Sequence, residues 1–320
     1  MTQADITRVL IAEFDINAIY ARYLATRVAA SNPISDAKKI LDEKPAPFVK
    51  WVGGKRQLLK QFRKLGLYPP DGFDPEKNTY FEPFVGGGAV FFDLLPERAA
   101  LSDMNKELVT TYKIIQTNVE ALIRSLGKHT YSKTHFLKIR ALDTNTLSDV
   151  EIASRFIYLN RSCFNGLYRV NSKGQFNVPF GAYKNPRICD ATNLRRVSRA
   201  LKHVTIRHED YSHVLKRAKK GDFVYFDPPY HPLSATASFT SYTAHGFSAA
   251  DQIKLRDTFL ALHKRGCYVM LSNSSAPFIK KIYGEIKDKK IRVTEIKANR
   301  NVNSQAKGRG EVKEILAVNY

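Results

Sequence analysis

Cysteine is scarce in this 320-residue chain: Cys163, Cys189 and Cys267 stand far apart, odd in number and without a CxxC pair. That argues against a disulfide framework and a zinc site, and it fits a reducing cytoplasm. Long apolar runs are missing too, and a bilayer span needs about 18 such residues or more. The opening MTQADITRVLIAEFD is too acidic and too interrupted for a signal peptide, so no membrane partner is expected. With 43% hydrophobic and 25% charged residues the composition excludes wholesale disorder, and the length suits one large domain or two modest ones. Acid is what one stretch lacks most. Between Ser154 and Lys202 ten basic residues face a single acid, Asp190.

The whole chain carries 51 Lys+Arg against 30 Asp+Glu, a net charge of +21. Residues 1–44 hold six basic and six acidic side chains, and residues 45–110 hold nine and eight. Residues 111–202 hold sixteen and five, and residues 203–320 twenty and eleven. A charge run alone can be no more than a solvated face. Here Phe164, Tyr168, Phe176, Phe180 and Tyr183 are interleaved with the cations. Cations with aromatics suit phosphate contact combined with base stacking, so nucleic acid is the expected partner.

Apolar spacing over residues 5–29 predicts one or two amphipathic helices, and the polar stretch Asn32 to Pro47 reads as a linker. Residues 1–44 are therefore an expected helical extension, with packing on the rest of the chain as the default role and a dimer contact or a dispensable extension as the alternatives. Helical patterns follow at 55–65, from 105 onward, at 149–161 and at 251–264. Extended runs fall at 79–85, 99–102, 204–208, 222–226 and 267–272, with IRVTEIKA and KEILAVNY at the end. Residues 162–190 read as loops. Strands alternating with helices imply an α/β sheet that binds ligands at the carboxyl ends of its strands.

Three constellations carry chemistry. In YFEPFVGGGAVF (80–91) a strand runs through three glycines into a helix, an arrangement that brings backbone close to a ligand or simply makes a tight turn; GxGxxG is not completed. Asp103, ending the next strand, is placed either to hold ribose hydroxyls or to cap the following helix. FVKWVGGK (48–55) lacks the first glycine of a phosphate-binding loop and has Arg56 where Ser or Thr belongs, which excludes a nucleoside triphosphate site. The sharpest is DFVYFDPPY (222–230): a buried strand ending in Asp227, two prolines that remove amide donors, and Tyr230. Asp227 with a proline carbonyl makes an acceptor pair for an NH₂ group, beside an aromatic face for a planar base.

These motifs, with LSDMN, NRSCFNGLYRVNSKGQFNVPFGAY (160–183) and the tail NRNVNSQAKGRGEVKEILAVNY, resemble the Dam-type, alpha-ordered (D12 class) DNA adenine-N6 methyltransferases from about Phe48 to Tyr320. The resemblance implies a Rossmann-like sheet binding S-adenosylmethionine, with an inserted, mainly helical DNA-recognition domain. It implies catalytic-domain parts at 45–110 and 191–320 around a recognition domain at 111–190. By position, Trp51 and Lys55 would meet the methionine end of the cofactor, and Glu82, Pro83, Phe84, Gly86 and Gly88 would form its loop. Asp103 would hold the ribose, Asp210 and Tyr211 would flank the adenine ring, and Asp227 would lie beside the cofactor as part of the catalytic motif Asp227, Pro228, Pro229, Tyr230. Arg169 would read guanine with Leu167 beside it. Phe164 and Asn165 would enter the space of the displaced adenine, and Lys50 would touch the opposite guanine. Asn171, Tyr183 and Lys184 would complete the DNA contacts. The implied partner is double-stranded DNA, with 5′-GATC-3′ as target, a nucleoid-associated location, a monomer or weak dimer, and no metal. Other readings are a different site within a restriction–modification pair, an RNA or protein amide methyltransferase, and a catalytically dead DNA-binding protein. Asp227 in place of the Asn usual in amide methyltransferases disfavours the amide reading. Intact Asp227, Asp103 and Lys55 disfavour the dead one.

Overall fold

A computed structural model describes residues 1–232, 247–300 and 310–320. Its strands are β1 Tyr80–Glu82, β2 Ala99–Asp103, β3 Thr205–His208, β4 Phe223–Phe226, β5 Tyr268–Ser274, β6 Arg292–Arg300 and β7 Gly310–Val318. They form one sheet in the order β3-β2-β1-β4-β5-β7-β6. β1 to β5 are parallel, and β7 runs antiparallel to both β5 and β6. FVYF fills a central strand because all four residues are buried, as expected for a parallel strand covered on both faces. The strand order reverses between β1 and β4, and open α/β sheets bind their ligands outside the carboxyl ends of the strands at such a reversal. Part of the tail quoted above, residues 301–309 with most of the KGRG stretch, lies outside the described residues.

The helices are α1 Gln3–Phe14, α2 Ala18–Ala25, α3 Pro33–Asp42, α4 Leu59–Lys64, α5 Ala89–Leu94, α6 Lys106–Leu126, α7 Lys133–Arg140, α8 Asp149–Ser162, α9 Ala191–Leu201, α10 Ala249–Arg265 and α11 Pro277–Gly284. The expected linker at 32–47 is instead mostly α3. Pro33 opens it, and only Ala37, Ile40 and Leu41 face the cluster built by α1 and α2. So narrow an apolar stripe leaves the rest of the segment polar enough to read as a loop. α7, α9 and α11 also lie where no helix was expected. Each is short, from 8 to 11 residues, and periodicity is weak over so few turns.

Ion pairs tie the N-terminal helices to the rest of the chain: Asp15 meets Lys60 at 3.1 Å, Glu43 meets Arg196 at 3.0 Å, and Asp93 gathers several partners. Asp93 accepts hydrogen bonds from Asn17 Nδ2 at 3.2 Å, Arg63 Nη1 at 3.2 Å and the Tyr68 hydroxyl at 3.0 Å, with Lys44 Nζ at 3.8 Å. Leu95 packs against the α1–α3 cluster, and Ile19 joins the main core under the sheet.

That main core takes in α6, α8 and α9, whereas Phe136, Ile139, Tyr158, Leu159, Cys163, Phe176 and Val178 form a separate cluster. Folding also redistributes the basic stretch. Arg155 pairs with Glu107, Arg195 with Glu120, and Arg196 and Arg199 with Glu43, while Arg187 pairs with Asp190. The sequence run is thus partly neutralised by acids from elsewhere. Asp93→Ala should take the nearest carboxylate from Arg63 and the Tyr68 hydroxyl, while Lys44 keeps the backbone carbonyl of that position at 3.0 Å, and should cost about 1–3 kcal/mol of unfolding free energy, read by denaturant titration; a loss under about 0.5 kcal/mol would overturn this account of the anchor.

Candidate active site

Both strands at the reversal end in reactive groups. β1 closes on Glu82, whose buried Oε2 accepts the Tyr80 hydroxyl at 2.8 Å and the Phe91 amide at 3.1 Å. Burial pushes its pKa up to about 8, opposed by the Tyr80 hydrogen bond and helped by the Asp227 charge. Beyond Glu82 the chain passes Pro83 and Phe84 into the glycines before α5. Gly86 and Gly88 take φ values of +46° and +67°. A Cβ on Gly86 would stand 2.5 Å from Trp51 Nε1, and one on Gly88 2.7 Å from the Tyr112 hydroxyl. Space and backbone both demand glycine there, and Trp51 packs directly on the loop.

β4 delivers Asp227. Lys55, 2% exposed at the head of a 3₁₀ turn, reaches Asp227 Oδ1 at 2.7 Å and donates to the Gly53 carbonyl at 2.5 Å. The same ammonium lies 4.8 Å from the centre of the Tyr230 ring. Burial drives the Asp227 pKa up to about 6, with Lys55 pulling it back and Glu314 adding to the rise. Pro229 offers its carbonyl to Gln252 Nε2 at 3.0 Å. Asp227 Oδ2 and the Pro228 carbonyl take no hydrogen bond among the described residues. An ion-paired carboxylate with one oxygen open, beside an open carbonyl and an aromatic ring, can grip a planar group bearing NH₂.

Along the same edge Tyr211 stacks on Phe84 with centroids 5.3 Å apart, and Phe226 and Phe247 stand edge-on to Phe84. Asp210 accepts from the Ser212 amide at 2.9 Å and so starts the turn that carries Tyr211. Asp103 accepts from Gly86 N at 3.0 Å and Asn105 N at 2.9 Å, one on each oxygen. The helix-cap reading of Asp103 is overturned, because Asn105 caps α6 by accepting from Leu108 N at 3.0 Å. Asp103 instead ties the glycine loop to the end of β2, with lone pairs to spare.

The basic, aromatic stretch gathers at the end of α8. Asn160 is buried; its side chain accepts from Lys50 N at 2.8 Å and donates to Lys50 O at 2.8 Å and Gly166 O at 3.0 Å. Arg161 donates to Phe48 O at 2.7 Å. Lys50 Nζ lies 4.0 Å from the Tyr183 ring centre, and a Cβ on Gly166 would touch the Lys50 side chain at 2.5 Å. Lys50, the Phe164–Gly166 turn and Tyr183 are thus brought together, with Asn165 in the left-handed region and Phe164 40% exposed. Leu167 packs into the separate cluster below. Arg169 is exposed and held by Asn177, with Nε to Oδ1 at 2.7 Å. Asn171 stands further along and uses its side chain on the turn itself, accepting from Lys173 N and Gln175 N at 3.0 Å each. Lys184 is exposed.

The family description D12 class N6 adenine-specific DNA methyltransferase matches residues 51–302. The chain belongs to that family. It is 46% identical over 86% of its length to a Type II methyltransferase, M1.LlaDCHI, of Lactococcus lactis subsp. cremoris, covering 95% of that protein. It is 40% identical over the same share to the Type II methyltransferase M.MjaIII of Methanocaldococcus jannaschii, covering 99%, and 35% identical to a DNA adenine methylase of Vibrio cholerae, covering 96%. The enzyme is an adenine-N6 DNA methyltransferase using S-adenosylmethionine. At the strand reversal the chain offers what such a donor could use: a glycine loop too tight for side chains, an aromatic pair at Phe84 and Tyr211, and the carboxyl groups of Asp103 and Asp227.

Glu314, Gln252 and Asn160 were absent from the sequence expectation, and Tyr168, expected only as one of the aromatics interleaved with the cations, stacks on Trp51 at 6.1 Å. The one legible signal was Glu314, an acid directly before the buried run Ile315 to Val318. For the methyltransferase, the raised Glu82 pKa has a consequence for stability. The folded protein keeps a proton that the unfolded chain releases from about pH 4.5, so this contribution is lost as pH rises toward about 8. Between about pH 5 and 8, Glu82→Gln should flatten the decline of unfolding free energy in denaturant titrations; parallel wild-type and mutant curves would mean that Glu82 ionises freely when folded.

Proposed function

We propose that this methyltransferase acts on the adenine of 5′-GATC-3′ in duplex DNA, and that Asp227 to Tyr230 grip the displaced base. The observation carrying the catalytic assignment is the Asp227 carboxylate, tied on one oxygen by Lys55 and open on the other, beside Tyr230 at the carboxyl edge of β4. Trp51, Lys55, the loop from Glu82 to Gly88, Asp103, Asp210, Tyr211 and Asp227 would hold the donor. It supplies an electrophilic methyl group on sulfur. The target site rests on the match of FNGLYRVN to guanine-reading relatives, with support from the patch that Lys50, Phe164 and Tyr183 form beside Arg169. In this reading 45–110 and 191–320 are catalytic, 111–190 reads DNA, and 1–44 packs on the first part. A second reading, a different site within a restriction–modification pair, is favoured by the Type II names of two relatives.

The adenine amino group is buried in a duplex, so the base must rotate out at a cost of a few kcal/mol. Phe164 is exposed to occupy the vacated space. Asp227 Oδ2 and the Pro228 carbonyl accept hydrogen bonds from the amino group, which turns the nitrogen lone pair out of ring conjugation and aims it at the methyl carbon. Tyr230 stacks on the ring and fixes the approach, so positioning is the main contribution to rate. Lys55 holds Asp227 ionised although the group is buried. In the wild-type enzyme kcat/KM should therefore fall as pH drops through about 6, where Asp227 takes up a proton and loses an acceptor site; a profile flat down to about pH 5 would count against that role.

Asp227→Ala should abolish methyl transfer in a tritiated-methyl assay while leaving DNA binding measurable, and retained turnover would sink the catalytic assignment. Arg169→Ala should lose about 1–3 kcal/mol of discrimination at the guanine with little change in turnover on saturating DNA. Mapping methylated adenines in DNA from expressing cells decides the target, and methylation confined to another sequence would overturn 5′-GATC-3′.

A further inference from the structure

We infer that Glu314 is a positioning residue for methyl transfer: its carboxylate holds the tip of the Tyr230 ring and so sets the plane of the surface on which adenine lies. The inference rests on the reading of Tyr230 as that surface. The Tyr230 hydroxyl donates to Glu314 Oε2 at 2.6 Å, the length of a charge-assisted hydrogen bond. Burial, with the Asp227 and Glu314 charges close by, holds the Tyr230 pKa far above its usual range, so the hydroxyl remains a donor.

Geometry gives the contact its purpose. The two prolines before Tyr230 restrict the backbone, but the ring torsion of a tyrosine is broad and roughly two-fold. An anchor at the hydroxyl is what removes that freedom, and Lys55 bears on the ring from 4.8 Å. The reversed direction of β7 makes the anchor reachable. Glu314 lies opposite Ser274, at the carboxyl end of β5, so the part of β7 that pairs with β5 begins at the catalytic edge instead of ending there. Four buried residues, Ile315 to Val318, then fix it in the sheet. Glu314 also bears on Asp227, which burial, opposed by Lys55 and reinforced by Glu314, has already shifted upward. The carboxylate is thus coupled to both halves of the proposed base grip.

The test compares single-turnover methyl transfer on saturating duplex across Glu314→Ala, Glu314→Gln, Tyr230→Phe, Tyr230→Ala and the double variant Tyr230→Phe/Glu314→Ala. Glu314→Ala and Tyr230→Phe should each slow transfer about ten-fold, with the KM for the methyl donor changed by less than about two-fold, since only the reacting geometry is loosened. Glu314→Gln, whose side-chain carbonyl still accepts from the tyrosine, should recover most of the rate. The double variant should be no slower than the slower single one. Full additivity of the two losses, or Glu314→Gln as slow as Glu314→Ala, would overturn the inference. Should Glu314→Ala fold poorly, Tyr230→Phe removes the same bond from the other end, and a wild-type rate there overturns it equally. Undiminished transfer by Tyr230→Ala would instead overturn the reading of Tyr230 as the base surface, whatever the Glu314 variants do.

Discussion

Between Lys55 Nζ and Asp227 Oδ1 lie 2.7 Å, in a place where the lysine side chain is 3% exposed. A buried ammonium needs a partner, and removing either member of such a pair leaves an uncompensated charge worth several kcal/mol. The constraint reaches outward in sequence. Lys55 can meet Asp227 only if the strap from Phe48 to Lys55 crosses the strand reversal between β1 and β4. The strap is held there by polar side chains from a distant helix, Asn160 on Lys50 and Arg161 on Phe48. Crossing at that height puts Trp51 on the glycine loop, where a Cβ on Gly86 would collide with the indole. One ion pair thus fixes the strap, the loop and the end of α8 together.

The same pair orders the protonation of its neighbours. Glu82 and Asp227 share one cation, Lys55, and they cannot both be charged cheaply where both are buried. Glu82 is the most enclosed and is pushed to about 8, while Asp227, in contact with Lys55, reaches only about 6. Of these two, the carboxylate that bears charge at neutral pH is therefore Asp227, the one in contact with Lys55. Glu82 serves as a neutral brace between Tyr80 and the first turn of α5.

The carboxyl edge of the sheet around β1 and β4 was legible in the sequence because it depends on short-range chemistry. FVYF is apolar at every position and short, which reads as a strand covered on both faces. DPPY follows it without a gap, and the glycine cluster announced a close backbone approach. What was not legible depended on partners remote in the chain. α3 looked like a linker because three apolar contacts suffice to dock it. The cationic run from Ser154 to Lys202 looked like a surface excess because Glu43, Glu107 and Glu120, which neutralise four of its arginines, come from other segments. The cap alternative for Asp103 stayed open because the competing donor, Gly86 N, is contributed by a different strand's loop. Glu314 was passed over for the same reason.

Charge therefore has to be counted after folding. Residues 1–44 are neutral in sum, yet Glu43 binds both Arg196 and Arg199 and so removes positive charge from α9. Among the described residues, Lys50, Arg169 and Lys184 pair with no acid, and they stand around the Phe164 turn and Tyr183. Lys50 belongs to the strap whose next residue, Trp51, packs on the glycine loop and stacks on Tyr168. The strap is consequently a wall common to the glycine loop and the cationic patch. A displacement of one is a displacement of the other, because Asn160 clamps the strap backbone and Gly166 with a single amide. A side chain with four hydrogen-bonding sites can satisfy both at once, and no apolar residue of similar size could.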